Sequence, residues 1–149
     1  MLNYLIKNAT VCTGLKEEST IRNIGVSNDV IVLLGKSEEP EAETIIDGTG
    51  LILAPGFIDP HASTGFGYFF PNAADHKLYQ GITTEIFGNC GTSPAPIGPH
   101  LMKTMDKLSE DIGFPFDWKT MEEYFDRIED KLQFNIATLI GHSTLRGGN

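Results

Sequence analysis

The sequence predicts an α/β chain in two parts, short strands over residues 1–55 and alternating strands and helices over residues 56–149. Three observations carry this. Before Pro55, β-branched and apolar runs are separated by turn residues. After Pro55, apolar strands alternate with helical segments, an order that implies a parallel sheet with crossover helices. The polar residues of the second part collect just past the C-terminal end of each strand, the edge at which α/β folds build their sites.

The elements follow in order. Residues 4–7 and 9–13 read as two short strands, and residues 14–19 as a charged loop. Residues 20–26 form the next strand. Asn28 and Asp29 can turn the chain into the β run of residues 30–34, which Gly35 ends. An acidic loop leads to strands at 44–47 and 51–53, separated by the turn residues Asp47-Gly48-Thr49-Gly50. Residues 56–59 are a short apolar strand running to His61. A Gly/Phe-rich loop (62–71) follows, with Asn72 as cap and Gly81 as stop for a short helix over 73–80. Residues 82–87 are a β-branched strand, 88–99 a Gly/Pro loop, and 100–110 a helix. Asp117 can cap the next helix, in which Met121, Tyr124, Phe125, Ile128 and Leu132 fall on one face. Residues 134–140 are a third apolar strand, closed by Gly141-His142.

Bulk composition excludes several functions. The chain has 149 residues, 11 basic and 20 acidic, for a net charge of −9. Apolar residues at 40% and charged residues at 21% argue against disorder. The negative balance excludes a phosphate-backbone binder, so no nucleic-acid partner is expected. No apolar run approaches the roughly 18–20 residues of a membrane helix, and no membrane partner is expected. The N-terminus lacks the basic and apolar regions of a secretory signal. Two cysteines, Cys12 and Cys90, are too few for a disulfide scaffold and suit a reducing, cytoplasmic location. Cys12 reads as a small buried apolar residue.

The strand-end residues are Asp59 and His61, then Asn89 and Cys90, then His142 and Ser143. Imidazole and thiolate are the usual zinc ligands, and zinc can polarise a carbonyl or acidify a water. His61 and Cys90 are therefore metal candidates, although no local ligand spacing supports them. A nucleophilic Cys90 activated by His61 or His142 is the competing chemistry, and plain loop packing is the bland one. His76 and His100 read as surface residues.

The run from Leu53 to His61, L-A-P-G-F-I-D-P-H, resembles the first barrel strand of the amidohydrolase superfamily. The run G-I-T-T-E-I-F-G-N-C-G-T-S-P-A-P, from Gly81 to Pro96, is similar to the N-acyl-D-amino-acid deacylase (D-aminoacylase) branch. L-I-G-H-S-T-L-R, ending at Arg146, resembles the next strand end of that branch. The resemblance implies that residues 1–55 are part of a β-sandwich and that residues 56–149 are the first part of a (β/α)8 metal-dependent hydrolase barrel. It implies Zn2+ as cofactor, with His61 and Cys90 as metal ligands and His142 substrate-side or behind a ligand. It also implies hydrolysis of a linear, non-peptide C–N bond in a small N-acyl amino acid. The sequence departs from the family at Ser63, which stands where the second His of H-x-H is expected.

A barrel of this kind takes about 250 residues. From Gly56 onward there is room for two βα units and a third strand, so the later ligands and the catalytic carboxylate are expected outside this sequence. The chain alone is expected to be inactive and to self-associate through its uncovered barrel edge. Two rivals stand beside this reading: a non-catalytic remnant or binding module of the same fold, and a cyclic-amide hydrolase of the dihydroorotase or hydantoinase kind.

Overall fold

The computed structural model describes residues 1–70, 72 and 75–147. They divide into two compact units, Met1–Pro55 and Gly56–Asn149.

The first unit is a five-stranded sheet. β1 (Leu2–Val11) is central: it runs antiparallel to β2 (Thr20–Ser27) and parallel to both β4 (Ala42–Asp47) and β5 (Ile52–Leu53). The two short strands expected over residues 4–13 are one strand with a bulge. The register slips between Ile6 and Ala9, and Asn8 takes a positive φ of 59° there. The buried Asn23 holds the bulge, its Oδ1 accepting the Asn8 N–H at 3.0 Å. β2 turns into β3 (Val30–Gly35) through Asn28 and Asp29, with φ of 48° and 64°. Two successive left-handed residues make the turn that matches strand twist. Leu2, Leu5, Ala9, Val11 and Ile24 are buried, but Ile31 and Ile45 remain exposed. Cys12, expected to be buried, is only half-buried because it lies past the end of β1.

The second unit is a parallel three-stranded sheet in the order β6 (Phe57–Asp59), β7 (Ile82–Phe87), β8 (Asn135–Thr138). Between β6 and β7 lie a short helical turn, Gly67–Phe69, and α1 (Asp75–Leu78). The expected helix 73–80 is described only from Asp75 on; its residues 73 and 74 lie outside the described residues. α2 (Pro99–Ile112) and α3 (Met121–Ile128) fill the next connection, and α4 (His142–Gly147) follows β8. Pro99 opens α2 and Gly113, at φ 68°, ends it. α3 is not capped by Asp117. Thr120 and Glu123 form a reciprocal capping box, while Asp117 accepts two hydrogen bonds from Arg127 at 2.9 and 3.0 Å. Capping demands a side chain adjoining the first helical turn, and Asp117 lies too far upstream for that.

The core of this unit is aromatic. Phe87 of β7 packs with Tyr68, Phe69, Trp118 and Tyr124. Phe69 stacks on Trp118 with ring centroids 4.8 Å apart. Each such buried side chain is worth about 1.5–3 kcal/mol. Two of the polar tips are satisfied: Trp118 Nε1 donates to the Pro94 carbonyl at 2.9 Å and the Tyr124 hydroxyl to the Gly65 carbonyl at 2.5 Å, while the buried Tyr68 hydroxyl has no partner among the described residues. The core fixes the sheet, and the sheet aims three strand ends the same way. No helix among the described residues is long and apolar enough to cross a membrane.

Candidate metal centre

Pro60 and His61 follow the last residue of β6, and the Gly88-Asn89-Cys90-Gly91 loop follows β7. Because β6 and β7 are parallel, with Asp59 opposite Glu85, both segments leave the sheet on the same side. Three contacts pin them there. The Ala62 N–H donates to the Ile86 carbonyl at 2.9 Å. Asn89 Nδ2 donates to the Ile86 carbonyl at 3.0 Å and the Pro60 carbonyl at 3.4 Å, tying the two strand ends together. His61 Nε2 then lies 3.2 Å from Cys90 Sγ, both side chains being exposed.

Loop geometry is demanding at Cys90. Its φ is 55°, between Gly88 at 83° and Gly91 at 81°. Glycine takes this conformation freely, whereas a side-chain-bearing residue takes it at a cost, so a non-glycine here marks a site worth explaining. A Cβ at Gly91 would lie 2.7 Å from Ser143 Oγ, and one at Gly141 would meet the Gly91 carbonyl oxygen. That oxygen accepts the N–H groups of Ser143 at 2.8 Å and Thr144 at 3.1 Å. Ser93 completes the lock: its N–H donates to Thr144 Oγ1 at 2.9 Å and its hydroxyl accepts the Gly141 N–H at 2.9 Å. The loop carrying Cys90 is thus bolted to the start of α4.

Sequence reasoning missed Ser93 and Thr144, both buried, and gave Asn89 no role. The signal available for Asn89 was its place beside the cysteine in a strand-end loop. Ser93 and Thr144 carried none, being 51 residues apart.

Sequence reasoning also missed a charged cluster beneath His61. The His61 N–H donates to Asp59 Oδ1 at 3.2 Å, and Lys77 Nζ donates to Asp59 Oδ2 at 2.8 Å. Lys77 and then His61 hold the Asp59 carboxyl below the usual carboxylate range. Lys77 Nζ lies equally close, 2.8 Å, to Oε2 of the wholly buried Glu85. That approach is off the direction of a well-formed hydrogen bond, so neither Glu85 oxygen has a directed partner among the described residues. Burial, with the Glu85 charge nearby, pushes the Tyr68 hydroxyl far above its ordinary value.

Beside Cys90 is a cavity of about 300 Å3, walled by Ala62, Phe66, Phe87 and Pro94, with Ser63 and Cys90 also on its lining. The donors suit zinc: two ligands at ordinary Zn–N and Zn–S distances in tetrahedral geometry stand about 3.5 Å apart, close to the observed pair. No group of three or more His, Cys, Asp or Glu side chains that could hold a metal occurs among the described residues. His142 is exposed at the first position of α4 and does not join His61 and Cys90 in such a group.

No protein-family model matches the chain. It is 32% identical over 146 residues to a D-aminoacylase of Alcaligenes xylosoxydans xylosoxydans, a match covering 97% of this chain and 30% of that protein. A solved D-aminoacylase, studied for its binuclear metal centre, with one-metal activation and second-metal attenuation, superposes with a TM-score of 0.84 at 30% identity, over 99% of this chain and 31% of that one. The N-acyl-D-glutamate deacylase of Bordetella bronchiseptica, solved with zinc and a phosphonate mimic of the tetrahedral intermediate, superposes at 0.83 and 29% identity, over 99% of this chain and 31% of its own. The chain therefore spans about a third of the length of these relatives. Over nearly its whole length it matches the N-terminal segment of the N-acyl-D-amino-acid deacylase branch of the amidohydrolases.

Proposed function

We propose that this chain is the N-terminal part of a zinc-dependent amidohydrolase that cleaves the linear amide of a small N-acyl-D-amino acid. The observation that carries the reading is the 3.2 Å approach of His61 Nε2 to Cys90 Sγ at a shared strand edge. The matches to deacylases of linear substrates along nearly the entire chain favour this over a cyclic-amide hydrolase. In this reading residues 1–55 belong to a β-sandwich and residues 56–149 are the opening units of a (β/α)8 barrel, in a cytoplasmic enzyme.

Cys90 as thiolate and His61 as neutral imidazole would hold the metal, with further ligands from elsewhere in the enzyme. Bound zinc polarises a carbonyl or lowers the pKa of a water. Asn89 keeps the two ligand-bearing segments together, and the Ser93–Thr144 lock keeps the Cys90 loop from drifting. The neighbouring cavity, on whose lining Cys90 lies, leaves space beside the pair for a small substrate. His142 stands at the mouth of the next strand end, where a substrate-side role fits.

The test is assay of the complete enzyme against N-acetyl-D-amino acids, with metal analysis of the same preparation. Turnover lost together with zinc in Cys90→Ala supports the reading. Turnover and zinc content both unchanged in that variant would sink it. A remnant reading gains only if the complete enzyme binds zinc and turns over none of these substrates.

A further inference from the structure

A line of contacts runs from the core to the site. Glu85 is wholly buried on β7, directly opposite Asp59 on β6. Lys77, its side chain only 11% exposed, reaches both carboxylates at 2.8 Å. Asp59 spends its second oxygen on the His61 N–H at 3.2 Å. A carboxylate bridging an ammonium and a backbone N–H has little rotational freedom left, and the turn it grips is the one that presents the His61 imidazole.

We propose that Lys77 is a positioning residue for His61. Anchored over buried Glu85, it fixes the rotamer of Asp59, and Asp59 fixes the turn that brings the imidazole to Cys90. The competing account is that Lys77 only neutralises Glu85. The two accounts part when both members of the buried pair are removed together. Groups behind a metal ligand commonly change metal affinity by about 10–100-fold when lost. The proposal rests on the metal-ligand reading of His61 and Cys90 in its zinc arm alone.

The experiment uses the full chain. Lys77→Met alone leaves Glu85 buried without a counter-ion, so the decisive variant is Lys77→Met/Glu85→Gln. Two quantities are read: exchange of the His61 amide, against the Ile86 amide as internal control, and zinc affinity by titration. The expected result is exchange at His61 faster by about tenfold with Ile86 unchanged, and zinc affinity weaker by about tenfold or more. Exchange and zinc affinity equal to the parent would overturn the proposal and leave Lys77 as a counter-ion. Should the double variant fail to fold, Lys77→Met/Glu85→Met decides, because an apolar pair of similar volume commonly replaces a buried ion pair without loss of folding. The same acceleration at His61 supports the proposal, and unchanged exchange defeats it. If the parent binds no zinc through Cys90, the metal reading fails, and the amide measurement still judges the positioning role.

Discussion

Nε2 of His61 and Sγ of Cys90 stand 3.2 Å apart although 29 residues separate them in the chain. The approach depends on parallel pairing of β6 and β7 and on a cysteine held at φ 55°. A loop that serves only to turn would be better built with glycine at that position.

This gives the first prediction. A left-handed non-glycine residue costs about 1–2 kcal/mol, and glycine gives back about 0.4–1 kcal/mol through the unfolded chain. Cys90→Gly is therefore expected to leave thermal stability unchanged or raise it by up to about 1 kcal/mol, while zinc affinity falls by more than about tenfold. Calorimetry and zinc titration check the two halves. A stability loss above about 2 kcal/mol would instead make Cys90 a packing residue.

The second prediction concerns the lock between the Cys90 loop and α4. A methyl group at Gly141 would strike the Gly91 carbonyl oxygen, which already accepts two N–H groups. Neither partner can yield without breaking those bonds. Gly141→Ala is expected to cost about 2 kcal/mol or more, whereas Gly147→Ala, where a Cβ meets nothing within 4 Å, should cost far less. Denaturant melts of both variants give the comparison.

Legibility in the sequence followed the range of the interaction. β7 was readable residue for residue, because Ile82-Thr83-Thr84-Glu85-Ile86-Phe87 is β-branched and bounded by glycine at each end. β1 was misread as two strands because Asn8 looks like a break, when its left-handed φ makes a bulge inside one strand. The cap of α3 went to Asp117 because an acidic residue ahead of an apolar face imitates a cap. Thr120 and Glu123, three residues apart, were the truer signal. At the site, the alternation of strands and helices gave the shared edge. The separation of His61 from Cys90 required the register, and nothing local could pair Lys77 with Glu85 across two elements.

A third prediction turns on pH. Hydrogen bonds from the backbone of Thr120 and then Lys119 hold the Glu123 carboxyl below its ordinary value. A carboxyl lowered by folding contributes stability above its unfolded pKa of about 4.3, and that contribution vanishes as pH falls through the lower folded value. The capping box of α3 should therefore loosen only below about pH 4.3. Glu123→Gln should flatten this acid dependence. Amide exchange at Tyr124, followed from pH 6 down to 3, reports it, and an identical profile in the variant would show that Glu123 does not govern the cap.

Exposed apolar strand ends motivate the fourth prediction. Phe57 and Ile58 on β6 are 61% and 62% exposed, and Leu139 and Ile140 after β8 are 52% and 57% exposed. An open sheet with apolar, unpaired edges recruits further chains. Residues 1–149 alone are expected to self-associate at micromolar concentration and to show no deacylase turnover. Sedimentation velocity should show larger species that shrink in Ile58→Lys/Leu139→Lys. A monomer with measurable turnover of an N-acetyl-D-amino acid would refute both parts.

The last prediction concerns Ser63. β6 ends at Asp59, yet the pairing reaches one step further through the Ala62 N–H and the Ile86 carbonyl. Exposure alternates accordingly: His61 is exposed, Ala62 buried and Ser63 exposed. Residues 61 and 63 are thus both open to solvent on either side of buried Ala62, although the chain bends at Pro60 and His61. Ser63 also lies on the cavity lining together with Cys90. A serine hydroxyl is a poor metal ligand beside an imidazole, so a metal position that needs a second imidazole from this segment is weakened. The metal position shared by His61 and Cys90 would take its two donors from this chain without residue 63. The complete enzyme is therefore expected to hold one metal tightly, and Ser63→His is expected to add a second, weaker one while changing the first by less than about threefold. Metal analysis and competition with a chelator measure both. Two tight equivalents with Ser63 in place would refute the argument, because another donor would then be standing where the imidazole is missing.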